Sequence, residues 1–387
     1  MRKKVALLGA TGSIGKSTLD VLRRGKDMFK PVLFSSHTDS VGLAALGAEF
    51  PEAALALSGV EQDVSCVGYV GKEGLLQAIS DCGADIVVNG IAGAAGLAPS
   101  IAALESGMDL ALANKETIVM AGHLVRALAK AKKARILPVD SEHSAIFKLL
   151  EAHGRENLAA ILLTASGGPF RTYTPEQLSR VRAQDALKHP TWNMGAKITI
   201  DSASMANKGL EVIEAVRLFD IPVSAIADVI QVLVHPQSIV HSMISLKDGS
   251  IYAQLSQPDM RLPIQNALYY PENAPSGFET LDFKQLTLSF EKPDGEKFPM
   301  LPLAYQALSA GDLYPVVYNA ANEVAVAAFL AEQIHFPDIA RVVALTLEQN
   351  WDGKPELGAI RETDRRARSV AKSFIKTFNT LSFLPIM

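Results

Sequence analysis

The chain has 387 residues, 48% of them hydrophobic, which exceeds what one ordinary core organises, excludes a disordered chain, and predicts two or three domains. A net charge of −4 excludes the basic face that nucleic acid requires.

The start, MRKKVALLGATG, is basic and then apolar, but the apolar stretch is too short for a signal peptide. KVALLGA, PVLFSS, SCVGYV, ADIVVNG, MDLALAN and ARILPVD read as strands. STLDVLRRG, VGLAALGAEF, EGLLQAIS and TIVMAGHLVRALAKA alternate with them as helices. Such alternation predicts a Rossmann-like parallel sheet covered on both faces; its strand order is not readable. Cys66 and Cys82 suit neither a disulfide framework nor a metal site, and read as reduced thiols in a cytoplasmic protein. Beyond Glu151 the strands AAILLTAS, AKITID, VIQVLVH, SIVHSMIS and SIYAQLS predict an α+β region with a mixed or antiparallel sheet. A segment rich in Pro, Gly and charge follows Tyr269, and from about Met300 four amphipathic helical patterns predict a small bundle. Its run VAVAAFLA falls far short of the roughly 18–20 apolar residues that span a bilayer. The expected domains are 1–148, 149–269, 270–298 as a connecting segment, and 299–387 as the α-helical bundle.

KVALLGATGSIGKS places Gly9, Gly12 and Gly15 between a strand and a helix. Glycine permits positive φ and close backbone approach to a pyrophosphate, and the N–H groups of Thr11 to Ile14 then face the phosphates at the helix's positive end. ATGSIGKS is also a P-loop pattern with alanine for the first glycine, so a small-metabolite kinase stays open, with Asp140 as its second Mg²⁺ element. The next strand ends in Ser36 and His37. A hydroxyl and an imidazole suit a 2′-phosphate, whereas a free ribose usually meets an acid there. This favours NADPH over NADH, with Asp39 nearby.

In ILPVDSEHSAIF, Asp140 and Glu142 are two residues apart at a strand end and leave on one face. On a helix starting near Ser204, Asn207, Lys208 and Glu211 share a face. If that face meets the strand end, three carboxylates converge. Like charges about 4 Å apart repel by roughly 4 kcal/mol at an effective dielectric of 20, so the set calls for a cation. All-oxygen ligands favour Mg²⁺ or Mn²⁺. Helix N-capping by the acids is the competing reading. TASGGPF sets Ser166 before two glycines, a turn suited to an anion; Ser202, Asn207 and Lys208 complete a set for a phosphate monoester. Each serine taken alone reads equally as a turn residue.

GATGSIG, LANKE, PVDSEH, SGGPF, HPTWNMG, DSASMANKGLE, HPQS and QPDMR occur in that order across the whole chain. Together they resemble the 1-deoxy-D-xylulose 5-phosphate reductoisomerases of the non-mevalonate isoprenoid pathway. The resemblance implies a homodimeric NADPH-dependent enzyme of three domains and a connecting segment. A bound divalent metal would chelate a ketose phosphate, whose skeleton rearranges by retro-aldol cleavage and re-aldolisation before hydride reduces the aldehyde. It also implies roles. Gly9, Thr11, Gly12, Ser13 and Ile14 would hold the cofactor phosphates, Ser36 and His37 its 2′-phosphate, and Asn114, Glu116 and Gly195 the rest of that site. Asp140, Glu142 and Glu211 would bind the metal. Ser166, Ser202, Asn207 and Lys208 would take the substrate phosphate, with Lys115, Ser141 and His189 elsewhere on the substrate. Trp192 and Met194 would sit on a lid near residues 186–196. Ser36 and His37 stand where many members carry glycine and a basic residue, and IPVSAIADVIQVLVHP is a few residues longer than expected. His241 reads either as a substrate neighbour or as a packed strand residue. A non-catalytic NADP-binding regulator is the other rival, with no use for an acid triad.

Overall fold

The computed structural model describes residues 2–62, 64, 67–187, 195–275 and 277–382. The chain divides into two compact units. One is Met1–Thr117, His123–Phe147 and Asp259–Thr280; the other is Ile118–Gly122, Lys148–Pro258 and Leu281–Met387.

The first unit is built on seven parallel strands: β1 (Lys3–Leu8), β2 (Phe29–Ser36), β3 (Ala54–Leu57), β4 (Tyr69–Val70), β5 (Ile86–Asn89), β6 (Asp109–Leu112) and β7 (Ile136–Pro138). Their order is β4-β3-β2-β1-β5-β6-β7. The chain runs outward from β1, returns to the other side of β1 with β5, and runs outward again. That reversal opens a crevice at the carboxyl ends of β1 and β5, the usual ligand position in such sheets. Val5 to Leu8 and Ile86 to Val88 are buried, because interior parallel strands are covered on both faces. The expected Rossmann-like architecture is present.

Several elements escaped the periodicity reading. β3 is an alanine–leucine run that continues a helical pattern; Phe50-Pro51 interrupts it, and Ala54 then pairs with Leu33. Helix Leu97–Glu105 contains Pro99, which a first turn tolerates because its missing N–H has no intrahelical partner there. Helix Arg261–Tyr269 also belongs to this unit and buries Ile264, Ala267 and Leu268 in the same core as Leu22 and Phe29. Lys3 Nζ donates to Leu268 O at that helix's carboxyl end (2.7 Å).

The second unit carries a mixed sheet of β8 (Leu158–Ala165), β9 (Ile230–Val234), β10 (Val240–Leu246) and β11 (Ile251–Leu255), ordered β11-β10-β8-β9. β8 and β9 are parallel; β10 is antiparallel to β8 and to β11. Part of the irregular segment pairs with β9 through Val234 and Glu291. Helices Met300–Ala310, Tyr314–Leu330, Asp338–Leu347 and Leu357–Ser382 form the expected C-terminal set. Tyr314–Leu330 is buried on nearly every side, as a central helix must be.

One expected strand is not a strand. AKITID lies in helix Ala196–Ala203. Ile198, Thr199 and Ile200 favour extended backbone locally, but Thr199, Ile200 and Ala203 are buried at helical spacing. Thr199 N–H and Oγ1 both bond Gly195 O, at 3.1 and 2.8 Å, and Lys197 pairs with Asp201 one turn on. Burial and these bonds override β propensity.

Candidate active site

At the end of β1, Gly9 has φ +77°, and a Cβ there would lie 2.9 Å from Gly90 O. A Cβ on Gly15 would lie 2.3 Å from Ala10 O. Glycine at these two positions therefore lets strand, turn and helix close on one another. Gly12 and Ser13, where helix Ser13–Arg24 begins, are exposed, so the helix presents its first N–H groups and positive end outward. Thr11 Oγ1 lies 2.9 Å from Ser36 Oγ, joining the glycine turn to the end of β2. His37 is exposed, with Nδ1 3.1 Å from Ser58 Oγ. Asp39 Oδ1 accepts from Gly42 N–H (2.8 Å) and caps the next helix.

The neighbouring strand ends are locked by two asparagines. Asn89, fully buried at the end of β5, donates to Gly96 O and Ser100 Oγ and accepts from Ile91 N–H. Asn114 donates to Ile91 O (2.7 Å), Gly93 O (2.9 Å) and Glu116 Oε2 (2.9 Å), and accepts from Thr117 N–H and Oγ1. It is thus the N-cap of helix Lys115–Lys132 and ties that helix to the turn after β5. Sequence reasoning missed Asn89; the signal was an amide ending the apolar run IVVN.

Lys115 and Asp140 form a largely buried ion pair between Nζ and Oδ2. Asp140 Oδ1 accepts from Glu142 and His143 N–H (both 3.1 Å) and lies 2.9 Å from His143 Nδ1. The capping reading of this acid is therefore correct as far as it goes: Asp140 caps helix Ser141–His153 through Oδ1. A fully buried imidazole holds the carboxylate's orientation. Ser141 Oγ donates to Glu142 Oε2 (2.7 Å).

In the second unit, Ser166, Gly167 and Gly168 follow β8, with Gly167 at φ +80° and Gly168 at φ +68°. Ser166 Oγ accepts from Gly168 N–H (3.3 Å). A Cβ on Gly168 would meet Ser202 O at 2.7 Å, so this turn lies against the end of helix Ala196–Ala203. The chain then turns sharply at Met205, φ +65°, into helix Ala206–Leu218. Asn207 Nδ2 donates to Glu211 Oε1 and Lys208 Nζ to Glu211 Oε2, and Lys208 and Glu211 are buried. Asn207 Oδ1 is buried without a partner among the described residues. Ser166, Ser202, Asn207 and Lys208 thus border one corner. Further along this helix burial pushes Arg217 down to about 10, offset in part by Asp312.

Gly195 is exposed at the start of helix Ala196–Ala203. His189, Trp192 and Met194 lie outside the described residues. His235, from HPQS, is structural: Nε2 accepts from Ile239 and Val240 N–H (both 3.2 Å), so Nδ1 carries the proton and donates to Ser289 O (2.9 Å). His241 is buried, with Nε2 3.3 Å from Ser256 O.

Comparison with known proteins places this geometry. The family model for 1-deoxy-D-xylulose 5-phosphate reductoisomerase matches residues 5–122. The model for that enzyme's C-terminal domain matches residues 136–219, and a second, for the DXP reductoisomerase C-terminal domain, matches residues 255–370. The chain is 49% identical to a 1-deoxy-D-xylulose 5-phosphate reductoisomerase of Chlorobium chlorochromatii over 384 residues, covering 96% of this chain and 100% of that protein. It is 50% identical over 384 residues to that of Pelodictyon phaeoclathratiforme, with the same coverage. A crystal structure of DOX-P reductoisomerase with NADPH, fosmidomycin and magnesium superposes with a TM-score of 0.88 at 39% identity, covering 97% of this chain and 99% of that one. The enzyme from Zymomonas mobilis in complex with NADPH gives the same values.

Proposed function

The chain belongs to the 1-deoxy-D-xylulose 5-phosphate reductoisomerase family, and from that premise we propose how its own residues carry the family's reaction. It converts 1-deoxy-D-xylulose 5-phosphate to 2-C-methyl-D-erythritol 4-phosphate with NADPH and a divalent metal ion. That activity removes the P-loop kinase and the non-catalytic regulator.

Asp140, Glu142 and Glu211 are a group of acids able to hold a metal ion, each offering one carboxylate oxygen. The donors are all oxygen, which fits Mg²⁺ or Mn²⁺. When bound, the dication supplies a Lewis acid and a template for adjacent substrate oxygens, and NADPH supplies the hydride. The observation that carries the reading is the pairing of these acids with lysines: Lys115 on Asp140 and Lys208 on Glu211. Each ammonium is desolvated beside a metal carboxylate and fixes that ligand; Lys115 would also face developing negative charge on a substrate oxygen. His143 keeps Asp140 in its ligating rotamer.

Thr11, Gly12, Ser13 and Ile14 take the cofactor pyrophosphate, and Gly9 lets it approach. Ser36 and His37 take its 2′-phosphate, supported by the use of Asp39 as a cap. Asn114, Glu116 and Gly195 complete the cofactor side. Ser166, Ser202, Asn207 and Lys208 bind the substrate phosphate, and Ser141 contacts the substrate nearer the metal. Phosphate contacts remote from the reacting carbons supply binding energy that orients the substrate. The functional division is 1–148 for cofactor, which also supplies Asp140 and Glu142 to the metal, 149–269 for Glu211 and the substrate, with its last helix packed in the first unit, 270–298 as connector and 299–387 as helical support.

The enzyme acts as a homodimer in the cytoplasm. The dimer is supported by the β11 edge, which no strand among the described residues pairs and where Ile251 and Tyr252 are 59% and 39% exposed, an edge of the kind proteins normally cover. No helix among the described residues is long and apolar enough to cross a membrane.

The test is loss of NADPH absorbance on mixing enzyme, substrate and Mg²⁺. EDTA abolishes it and Glu211→Gln lowers it by at least about tenfold, the scale of a lost second-sphere or ligand contact. Turnover insensitive to both refutes the metal assignment.

A further inference from the structure

We infer that Tyr318 and Asn322, one turn apart on the central C-terminal helix, are positioning residues that set the geometry of the substrate-phosphate corner. The inference rests on the assignment of Ser202, Asn207 and Lys208 to that phosphate.

The corner is two helices joined at Met205, a non-glycine residue in the left-handed region. Such a residue persists only where its surroundings over-determine it. Local bonds do part of this: Met205 N–H donates to Ser202 O (3.3 Å) and Ala206 N–H to Ser204 Oγ (3.4 Å). The remainder comes from helix Tyr314–Leu330. Asn322 Nδ2 donates to Asp201 Oδ1 (2.8 Å), and Lys197 Nζ holds Oδ2 of the same carboxylate (2.8 Å). Asp201 is buried and adjacent to Ser202, so this clamp fixes the carboxyl end of the first helix. Tyr318 Oη donates to Met300 O (3.0 Å) and lies 3.5 Å from Ala206 O, fixing the start of the second. A Cβ on Gly209 would come within 2.4 Å of Tyr318 Oη, so the second helix rests on that hydroxyl. Residues four apart share a helix face; one face of one helix therefore holds both sides of the corner.

Stability alone does not account for the asparagine. Asn322 is completely buried, and its Oδ1 has no partner among the described residues. An unsatisfied buried acceptor is unfavourable where an apolar side chain is not. Its value lies in direction: the amide reaches a carboxylate that an apolar group would leave unpaired. Tyr318 is suited to permanent donation, because burial, then the nearby Asp201 charge, pushes its hydroxyl well above the ordinary phenol range.

The experiment measures KM for substrate, KM for NADPH, and inhibition by inorganic phosphate competing with substrate, in holoenzyme carrying Asn322→Ala or Tyr318→Phe. The expected result is a rise of about fivefold to tenfold in substrate KM and in the phosphate inhibition constant, the scale of one misdirected charged hydrogen bond. NADPH KM stays within about twofold, since the cofactor turn is untouched. The exchange Asp201→Asn with Asn322→Asp restores the amide–carboxylate bond with its partners swapped, and recovers most of the phosphate affinity. A residue that merely stabilises the fold lowers Tm and active fraction and leaves the phosphate constant unchanged; that result overturns the inference. If Asn322→Ala does not fold, Tyr318→Phe, which keeps the ring, decides on the same constants. Ser202→Ala and Lys208→Met serve as controls. If they too leave the phosphate constant unchanged, the phosphate assignment itself falls; if they raise it while the Tyr318 and Asn322 variants do not, only the positioning role falls.

Discussion

Gly209→Ala adds one methyl group on the face of helix Ala206–Leu218 that meets the C-terminal helices. The new carbon would lie 2.4 Å from Tyr318 Oη, 2.9 Å from Ala304 Cβ and 3.2 Å from Met300 O. In an exposed helix the change would stabilise by about 1 kcal/mol through helix propensity. Here Tyr318 is fully buried and bonded to Met300 O, so the ring cannot swing aside without losing that bond. Overpacking of this kind typically destabilises by about 1–3 kcal/mol, and loss of the bond adds roughly 1 kcal/mol. The net is a destabilisation of about 1–3 kcal/mol, or a fall in Tm of roughly 3–10 °C for a folding unit of this size. Thermal denaturation of the holoenzyme measures it, with substrate KM as a second readout because Asn207, Lys208 and Glu211 ride on the same helix. Combining the change with Tyr318→Phe removes the nearest clashing atom, so the double variant loses less than the sum of the singles by at least about 0.5 kcal/mol. A Gly209→Ala enzyme as stable as its parent, or strict additivity in the pair, would refute the packing account.

Gly9→Ala places a side chain at φ +77° and 2.9 Å from Gly90 O; NADPH KM should rise by about tenfold or more with substrate KM nearly unchanged, and equal shifts in both would contradict the cofactor assignment. Lys208→Met removes the charge paired with Glu211 and proposed to bind the substrate phosphate, so steady-state kinetics should show substrate KM raised at least about tenfold; an unaltered KM would count against the phosphate corner. Burial acts to raise Asp20 and Asp259, but hydrogen bonds and charge from Arg261, joined at Asp20 by Arg24, more than offset it and hold both below their usual value. Folded values below unfolded ones mean stability that is present above about pH 4 and lost as pH falls through the folded values. Both groups are partly exposed, so the effect is limited to about 1 kcal/mol. Acid titration followed by circular dichroism should find a shallower loss in Arg261→Met than in the parent, and parallel curves would exclude this source.

Much of the molecule was determined by local chemistry written in the chain. The alternation of short buried strands with helices specified a parallel sheet, since the crossover that returns a chain to a parallel neighbour is usually a helix. Glycines between β1 and its helix specified the turn, because no other residue lets that backbone close. The face of Asn207, Lys208 and Glu211 was legible from the helical period; the acids of PVDSEH were legible as a pair, but not by strand alternation, because β7 ends at Pro138 and Glu142 lies in the first turn of helix Ser141–His153. Tertiary structure alone decided the rest. The reversal of strand order beside β1 follows from pairing between segments far apart in sequence. AKITID is helical because its neighbours bury one helical face and Thr199 bonds Gly195 O through both its N–H and its hydroxyl, which outweighs the preference of its β-branched residues. Asn89 gave only the faint signal of an amide ending an apolar run, and Tyr318 and Asn322 gave none: an amide or a phenol in an apolar run reads as ordinary until the carboxylate or carbonyl it must satisfy is brought against it.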